Sequence, residues 1–358
     1  LGVGGAFDQL EQILSFDRIS IAMADVLALS GTTELDLEDS LIAADLTADI
    51  DPAMSALLDD AVSWAELGLS VQANGNLSMP GVSLRVNGRD VKTPVSRIGD
   101  IALQADIAAP DDADEPLDAT VAFSATGTDW DDPDLGAFLG AAQDMSFDAR
   151  MSPDFSDIAI RNLALNTPDM TLRGQADVNE DLVVTTSNIV ADVRDLAIFA
   201  PILGLDLRGQ GQVALPGLTW SEARGLETGI EVLASQAGFG IADLDRIVGP
   251  EPRITGDVTL APDLDLSVDV SALDTAMIDG PLMLRITEAF GKLSLESTLD
   301  IASGAVPPDL GIEMAPAKLT ANLEGDLTAP AGTFELGVPS LAVSGQEFSD
   351  IVLTSRMT

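Results

Sequence analysis

Arg253-Ile-Thr-Gly-Asp-Val-Thr-Leu260, followed by Leu264-Asp-Leu-Ser-Val-Asp-Val270, contains the pattern that decides the fold. Leu264, Leu266, Val268 and Val270 alternate with Asp265, Ser267 and Asp269. Successive side chains of a strand point to opposite faces, so such a strand turns its aliphatics to one side and its polar groups to the other. The same alternation returns at Leu67/Leu69/Val71/Ala73, Val82/Leu84/Val86, Ile101/Leu103/Ala105/Ile107, Ala119/Val121/Phe123/Ala125, Leu282/Leu284/Ile286, Leu319/Ala321/Leu323 and Phe334/Leu336/Val338.

Inside these runs one phrase repeats, an apolar residue, a spacer, a glycine and a spacer: Leu172-Arg-Gly174, Leu207-Arg-Gly209, Ile254-Thr-Gly256 and Leu323-Glu-Gly325, with looser copies around Gly31, Gly75, Gly88, Gly127 and Gly345. The glycine falls on the aliphatic side, where it removes a side chain and marks a bend or bulge. Punctuation comes from Pro110 to Pro116, Asp131-Asp-Pro-Asp134, Pro250-Glu-Pro252 and Pro307-Pro-Asp309. Helical signals are short. Asp51-Pro52 opens 53–62, Asp131 and Pro133 open 131–142, and 194–203 and 241–248 carry helix-like apolar spacing.

The expectation is a mainly β protein of on the order of 20 strands, with four short amphipathic helices laid against the sheet. Nothing marks an internal boundary, so residues 1–358 read as one elongated repetitive segment. Its abrupt ends, Leu1 without an initiator methionine and Thr358 within a strand-like run, suggest an internal piece of a longer protein. The alternation serves closed sandwiches or an open, curved trough equally well.

Composition narrows the function. The 59 acidic against 17 basic residues give a formal charge of -42, yet 46% of residues are hydrophobic. That combination excludes an acidic disordered chain and implies a large dry face behind an acidic exterior, which repels nucleic acid and anionic headgroups. Cysteine and histidine are both absent, which removes disulfides, thiolate and Ser/His/Asp nucleophiles, and histidine-ligated metal sites. No cofactor and no metal site is expected. The longest apolar run, Leu196 to Leu205, falls well short of the ~20 residues a membrane-spanning helix needs.

Acidic clusters at Asp111, Asp112, Asp114 and Glu115, and at Asp129, Asp131, Asp132 and Asp134, admit a second reading, a calcium-bridged adhesive β-repeat module. Neither cluster has the spacing of an EF-hand loop. Paired carboxylates doing acid/base work, and a scaffold offering a strand edge to client proteins, are weaker readings. Trp64, Trp130 and Trp220 read as packing anchors at element ends.

Gly240-Ile-Ala-Asp-Leu-Asp-Arg-Ile-Val-Gly249 followed by Arg253 to Leu260, together with Leu341-Ala-Val-Ser-Gly-Gln-Glu-Phe-Ser-Asp-Ile-Val-Leu353, resembles the TamB family of translocation and assembly module proteins in the AsmA-like superfamily. The resemblance implies a half-open β-taco with an apolar groove, placed in the periplasm and tethered to the inner membrane by a segment absent from this chain. It implies phospholipid acyl chains as cargo and an outer-membrane barrel of the Omp85 class as partner, engaged through parts not present here. Transport of phospholipid between membranes and help in outer-membrane protein assembly are the expected functions, without enzymatic chemistry. The expected groove lining is Leu67, Leu69, Val71, Leu84, Val86, Leu103, Ile158, Ile160, Leu172, Leu264, Leu266, Val268, Val270, Leu282, Leu284, Ile286, Leu319, Leu323 and Leu336.

Overall fold

The computed structural model describes residues 2–8, 12–23, 27–58, 61–110, 112, 115–288, 291–306, 310–327 and 329–357. It is mainly β, as the alternation requires, and every described pairing is antiparallel between strands close in sequence. The chain divides into two compact units, 1–180 and 181–358. The unbroken repeat did not announce this division, although the polar Asn179-Glu180-Asp181 marks the place.

The first unit contains β1 (Gly2–Asp8), β2 (Ile13–Met23), β3 (Leu27–Asp36), β4 (Leu41–Ile50), β5 (Glu66–Asn76), β6 (Met79–Lys92), β7 (Ser96–Ile107), β8 (Leu117–Thr126), β9 (Asp129–Trp130), β10 (Ala142–Met151), β11 (Ile158–Asn166) and β12 (Met170–Val178). Each pairs with the next, except that β8 pairs with β10 and the short β9 returns to β7. The second unit contains β13 (Val184–Thr185), β14 (Asn188–Val193), β15 (Arg208–Pro216), β16 (Thr219–Ser221), β17 (Gly225–Gly238), β18 (Arg253–Leu260), β19 (Leu266–Asp274), β20 (Ile278–Thr287), β21 (Lys292–Ile301), β22 (Ile312–Met314), β23 (Ala317–Asp326), β24 (Ala329–Val343) and β25 (Gln346–Met357). Here the ladder runs β14, β15, β17 to β21, β23, β24, β25, with β16 and β22 as side pieces.

Three of the four expected helices form α-helix: α1 (Pro133–Leu139), α2 (Ala200–Leu203) and α3 (Ala242–Val248). Asp132 caps α1 by accepting from the Asp134 and Leu135 amides, with Pro133 in the first position, which satisfies two otherwise orphan donors. The stretch 53–62 is corrected. Pro52–Leu58 winds as a 3-10 turn, and residues 59 and 60 lie outside the described residues. Residues 194–203 likewise start as a 3-10 turn, Leu196–Phe199, before α2, and a further short turn, Ser303–Ala305, was not foreseen.

Alternation breaks where bulges occur, and the bulges preserve the faces. In β11 the partners shift between Ile160 and Leu163, so Arg161 and Asn162 supply one extra residue and Asn162 takes φ +52°. Ile158 and Ile160 before the shift, and Leu163 and Leu165 after it, then stay on the same side. β19 does the same between Val270 and Leu273. Gly209 and Gly256 of the repeated phrase sit at such shifts, at Arg208/Gln210 and Thr255/Gly256. Gly209 has φ +103°, and a Cβ there would stand 2.5 Å from the Gln236 carbonyl oxygen.

Two of the tryptophans are anchors. Trp64 is buried with its Nε1 donating to the Ile50 carbonyl at 3.0 Å, and Trp130 donates to Gly140 at 2.8 Å. Trp220 is not an anchor. It stands 42% exposed on β16, because that three-residue strand has too little sheet around it to cover an indole.

Gly209→Ala is therefore expected to destabilise the protein by about 2 to 3 kcal/mol, through a positive φ and a backbone clash. Gly337→Ala, where a Cβ would lie 3.9 Å from the Lys318 carbonyl, should be neutral or slightly stabilising. Urea denaturation of the two variants checks the contrast.

Candidate functional site

Register turns alternation into a surface. In the first unit Leu29, Ala48, Leu69, Val86, Leu103, Phe123, Met145, Leu165 and Leu172 stand opposite one another in sequence across nine neighbouring strands. At ~4.8 Å per strand this apolar row runs for roughly 40 Å. A parallel row carries Leu46, Val71, Leu84, Ala105, Val121 and Phe147, and a third carries Ala73, Val82, Ile107, Ala119, Ala149, Ile160 and Ala176. In the second unit Val258, Val268, Leu284, Leu295 and Leu323 form one row, and Leu226, Leu260, Leu266, Ile286 and Leu293 form the next.

The expected lining residues mostly fall on these faces. Leu69, Val86, Leu103 and Leu172 share the central row of the first unit, Val71 and Leu84 the row beside it, Ile160 the third, and Leu67 lies on the flank opposite Gly88. Ile158 pairs with Met151 and Val178 at the end of its strand. In the second unit Val268, Leu284 and Leu323 share a row, Leu266 and Ile286 another, Val270 faces Leu282, and Leu319 faces Leu336.

Leu264 is the exception and is corrected. It precedes β19, takes φ +70° in the turn closed by the Ala261 amide donating to Asp265, and is 48% exposed at the tip. Alternation alone did not show that the strand starts two residues later. Phe123, Met145, Leu165 and Leu295 belong to the rows and were not singled out as lining, although Met145-Ser-Phe147-Asp-Ala149 and Leu293-Ser-Leu295 carry the same period.

Burial separates a face from a sealed core. Of the expected residues only Val270 is buried, at 7% exposure; apart from Leu264 the others are half-buried. No side chain among the described residues falls below 2% exposure. The chain exposes 20674 Å² in all. Even two fully separate compact bodies of half its mass each would expose only about 16,500 Å². Aliphatics sealed between two packed sheets would be largely out of reach of solvent, whereas these keep an accessible flank.

The other face is acidic and thinly paired. Arg89 bridges Glu66 at 3.0 Å and Asp100 at 3.6 Å, Arg161 meets Asp177 at 2.8 Å, and Lys318 lies 3.7 Å from Asp300. These pairs are exposed and contribute little to stability. A hollow of about 1010 Å³ opens in the first unit, over Ala28, Gly68 and Ala102, whose small side chains fall at polar-face positions between Asp49, Asn87 and Ser124. Leu67 and Ile101 reach its margin. Small residues at polar-face positions were the unread signal for it.

Asp106 is held below the ordinary carboxyl range, first by the Ser83 hydroxyl and then by the Gln104 amide, both donating to it. Among the described residues no group of three or more acidic side chains converges as a metal site, and Asp111 and Asp114 of the first acidic cluster lie outside the described residues. No described helix is long and apolar enough to cross a membrane. In comparisons with known proteins no family model matches the chain, and no curated protein or solved structure matches it at the level that marks a relative.

Asp106 is expected to titrate below the ordinary carboxyl range, and Ser83→Ala to move it back toward the ordinary value. Its depressed folded pKa adds stability above the unfolded pKa that is lost as pH falls through the folded one. A carboxyl carbon NMR titration of both proteins reads the shift directly.

Proposed function

We propose that the aliphatic faces carry the acyl chains of phospholipid between inner and outer membranes in the periplasm, and that the same surface aids outer-membrane protein assembly. The observation that carries this reading is the uninterrupted row from Leu29 to Leu172, half-buried at every strand but that of the buried Ala48, with polar side chains kept to the opposite face. Each CH₂ covered against such a surface gains roughly 0.8 kcal/mol, so two acyl chains together are held off water strongly. Apolar contact is non-directional and similar from strand to strand, so a chain moves along the rows without a deep trap. The headgroup stays in water at a rim.

The likeness of 240–249, 253–260 and 341–353 to TamB family proteins supports the same reading from the sequence side. In this reading the inner-membrane tether and the contact with an outer-membrane barrel of the Omp85 class belong to other parts of the protein. The protein acts as a conduit, with no covalent step.

Protein purified without detergent is expected to carry phospholipid, read by mass spectrometry of the extract. Leu103→Asp and Leu284→Asp put a carboxylate in the middle of a row; each is expected to cut the bound lipid several-fold while circular dichroism stays unchanged, since both sites keep access to water. A lipid-free wild type, or well-folded variants that hold as much lipid as wild type, would contradict the proposal.

A further inference from the structure

The two ends of the strands in the second unit differ. Antiparallel order sends alternate connections to opposite ends, and every helical turn described in this unit lies in connections at one end: 193–208, 238–253 and 301–317. That end is closed. Leu196 lies over Gly211 on the aliphatic face, its Cδ2 standing 3.0 Å from where a glycine Cβ would be. Val193, Ile198 and Leu207 are buried there at 3%, 5% and 7% exposure. The Val248 and Ile247 carbonyls of α3 accept the Ala276 and Met277 amides at 3.0 Å each, and Arg246 donates to the Gly304 carbonyl at 2.7 Å. Met314, Ala317 and Val338 form a compact cluster at the same end.

At the opposite end the described connections are turns, apart from the short β16. The outermost aliphatic row there, Leu226, Leu260, Leu266, Ile286 and Leu293, is half-buried; Trp220, 42% exposed, continues it beside Leu226, and Leu264 and Leu327 stand beyond it at 48% and 42% exposure. No helical turn covers this row among the described residues. Its surroundings are acidic: Glu222, Glu227, Asp263, Asp265, Glu288 and Asp326 against Arg224 and Lys292, with Lys292 already bound to Glu288.

We propose that alkyl chains enter and leave the aliphatic face sideways across the turn end of the second unit, and that this end selects amphiphiles whose head carries an ammonium group and no net negative charge. The inference rests on the conduit reading. A tail reaches the row from Leu226 to Leu293 past exposed apolar tips without displacing any helical turn among the described residues. A head arriving there meets carboxylates at every turn, which favour an ammonium and repel a net anion.

The absence of cysteine makes the test direct. Single variants Leu327→Cys at the turn end and Ile241→Cys at the helical end are coupled to a maleimide polyethylene glycol. Uptake is followed from vesicles containing pyrene-acyl phosphatidylcholine or pyrene-acyl phosphatidylglycerol. The polymer at Leu327→Cys is expected to slow uptake strongly, and at Ile241→Cys to leave it unchanged. At low salt the unmodified protein should prefer phosphatidylcholine by about tenfold, shrinking toward parity near 1 M salt, where the screening length is about 3 Å. Glu227→Lys with Asp263→Lys should narrow the preference. Equal slowing from both attachment sites overturns the route, and equal uptake of both lipids at low salt overturns the selection. No uptake of either lipid by the unmodified protein overturns the conduit reading itself, and the route with it.

Discussion

Strand after strand places its aliphatic side chains on one face, and register keeps neighbouring strands in phase. That constraint supports the rest of the structure. A slip of one residue anywhere in the first unit would interrupt the row from Leu29 to Leu172 and drive carboxylates such as Asp106 and Asp148 onto the dry side. Stability is therefore distributed along the ladders in cross-strand contacts such as Leu103 with Phe123 and Leu284 with Leu295. Met314, Ala317 and Val338 add a compact buried cluster to these contacts. Faces held by many modest contacts remain accessible, which is what the proposed carriage of apolar chains requires.

The acidic face is the counterpart. With 59 carboxylates against 17 bases, acids far outnumber groups of opposite charge, and ion pairs such as Asp100 and Glu66 around Arg89 stay in water. Their repulsion opposes compaction but keeps a molecule with such large apolar faces from associating through its outside. Charge and hydropathy are thus segregated by the two-residue period itself. The bulges at Arg161-Asn162 and after Val270 protect the segregation where the strict alternation fails.

Much of this was legible in the residues. Alternation at Leu266 to Val270 and Leu282 to Ile286 placed the strands and their faces, and the acidic and proline signals of 131–142 placed a helix, whose cap is Asp132 and whose span is the shorter Pro133–Leu139. Periodicity could not mark the strand boundary at Leu264, because a turn residue held by local backbone hydrogen bonds can fall in phase with the strand it precedes. It also hid the parity switch in β11, since an inserted residue looks like an end of pattern until its partner strand is known. The hollow over Gly68 and Ala102 needed register as well: neither residue is unusual alone, and only alignment with Ala28, Asn87 and Ser124 makes a cavity of them.

The most direct test of the central claim is paramagnetic broadening in methyl-labelled protein by a fatty acid bearing a nitroxide on its chain. The account predicts broadening of methyls on the aliphatic rows, Leu69, Leu103, Leu165, Leu284 and Leu323, with the Thr47 and Thr120 methyls on the opposite face left sharp. Broadening equal on both faces, or absent from the rows at saturating fatty acid, would contradict it.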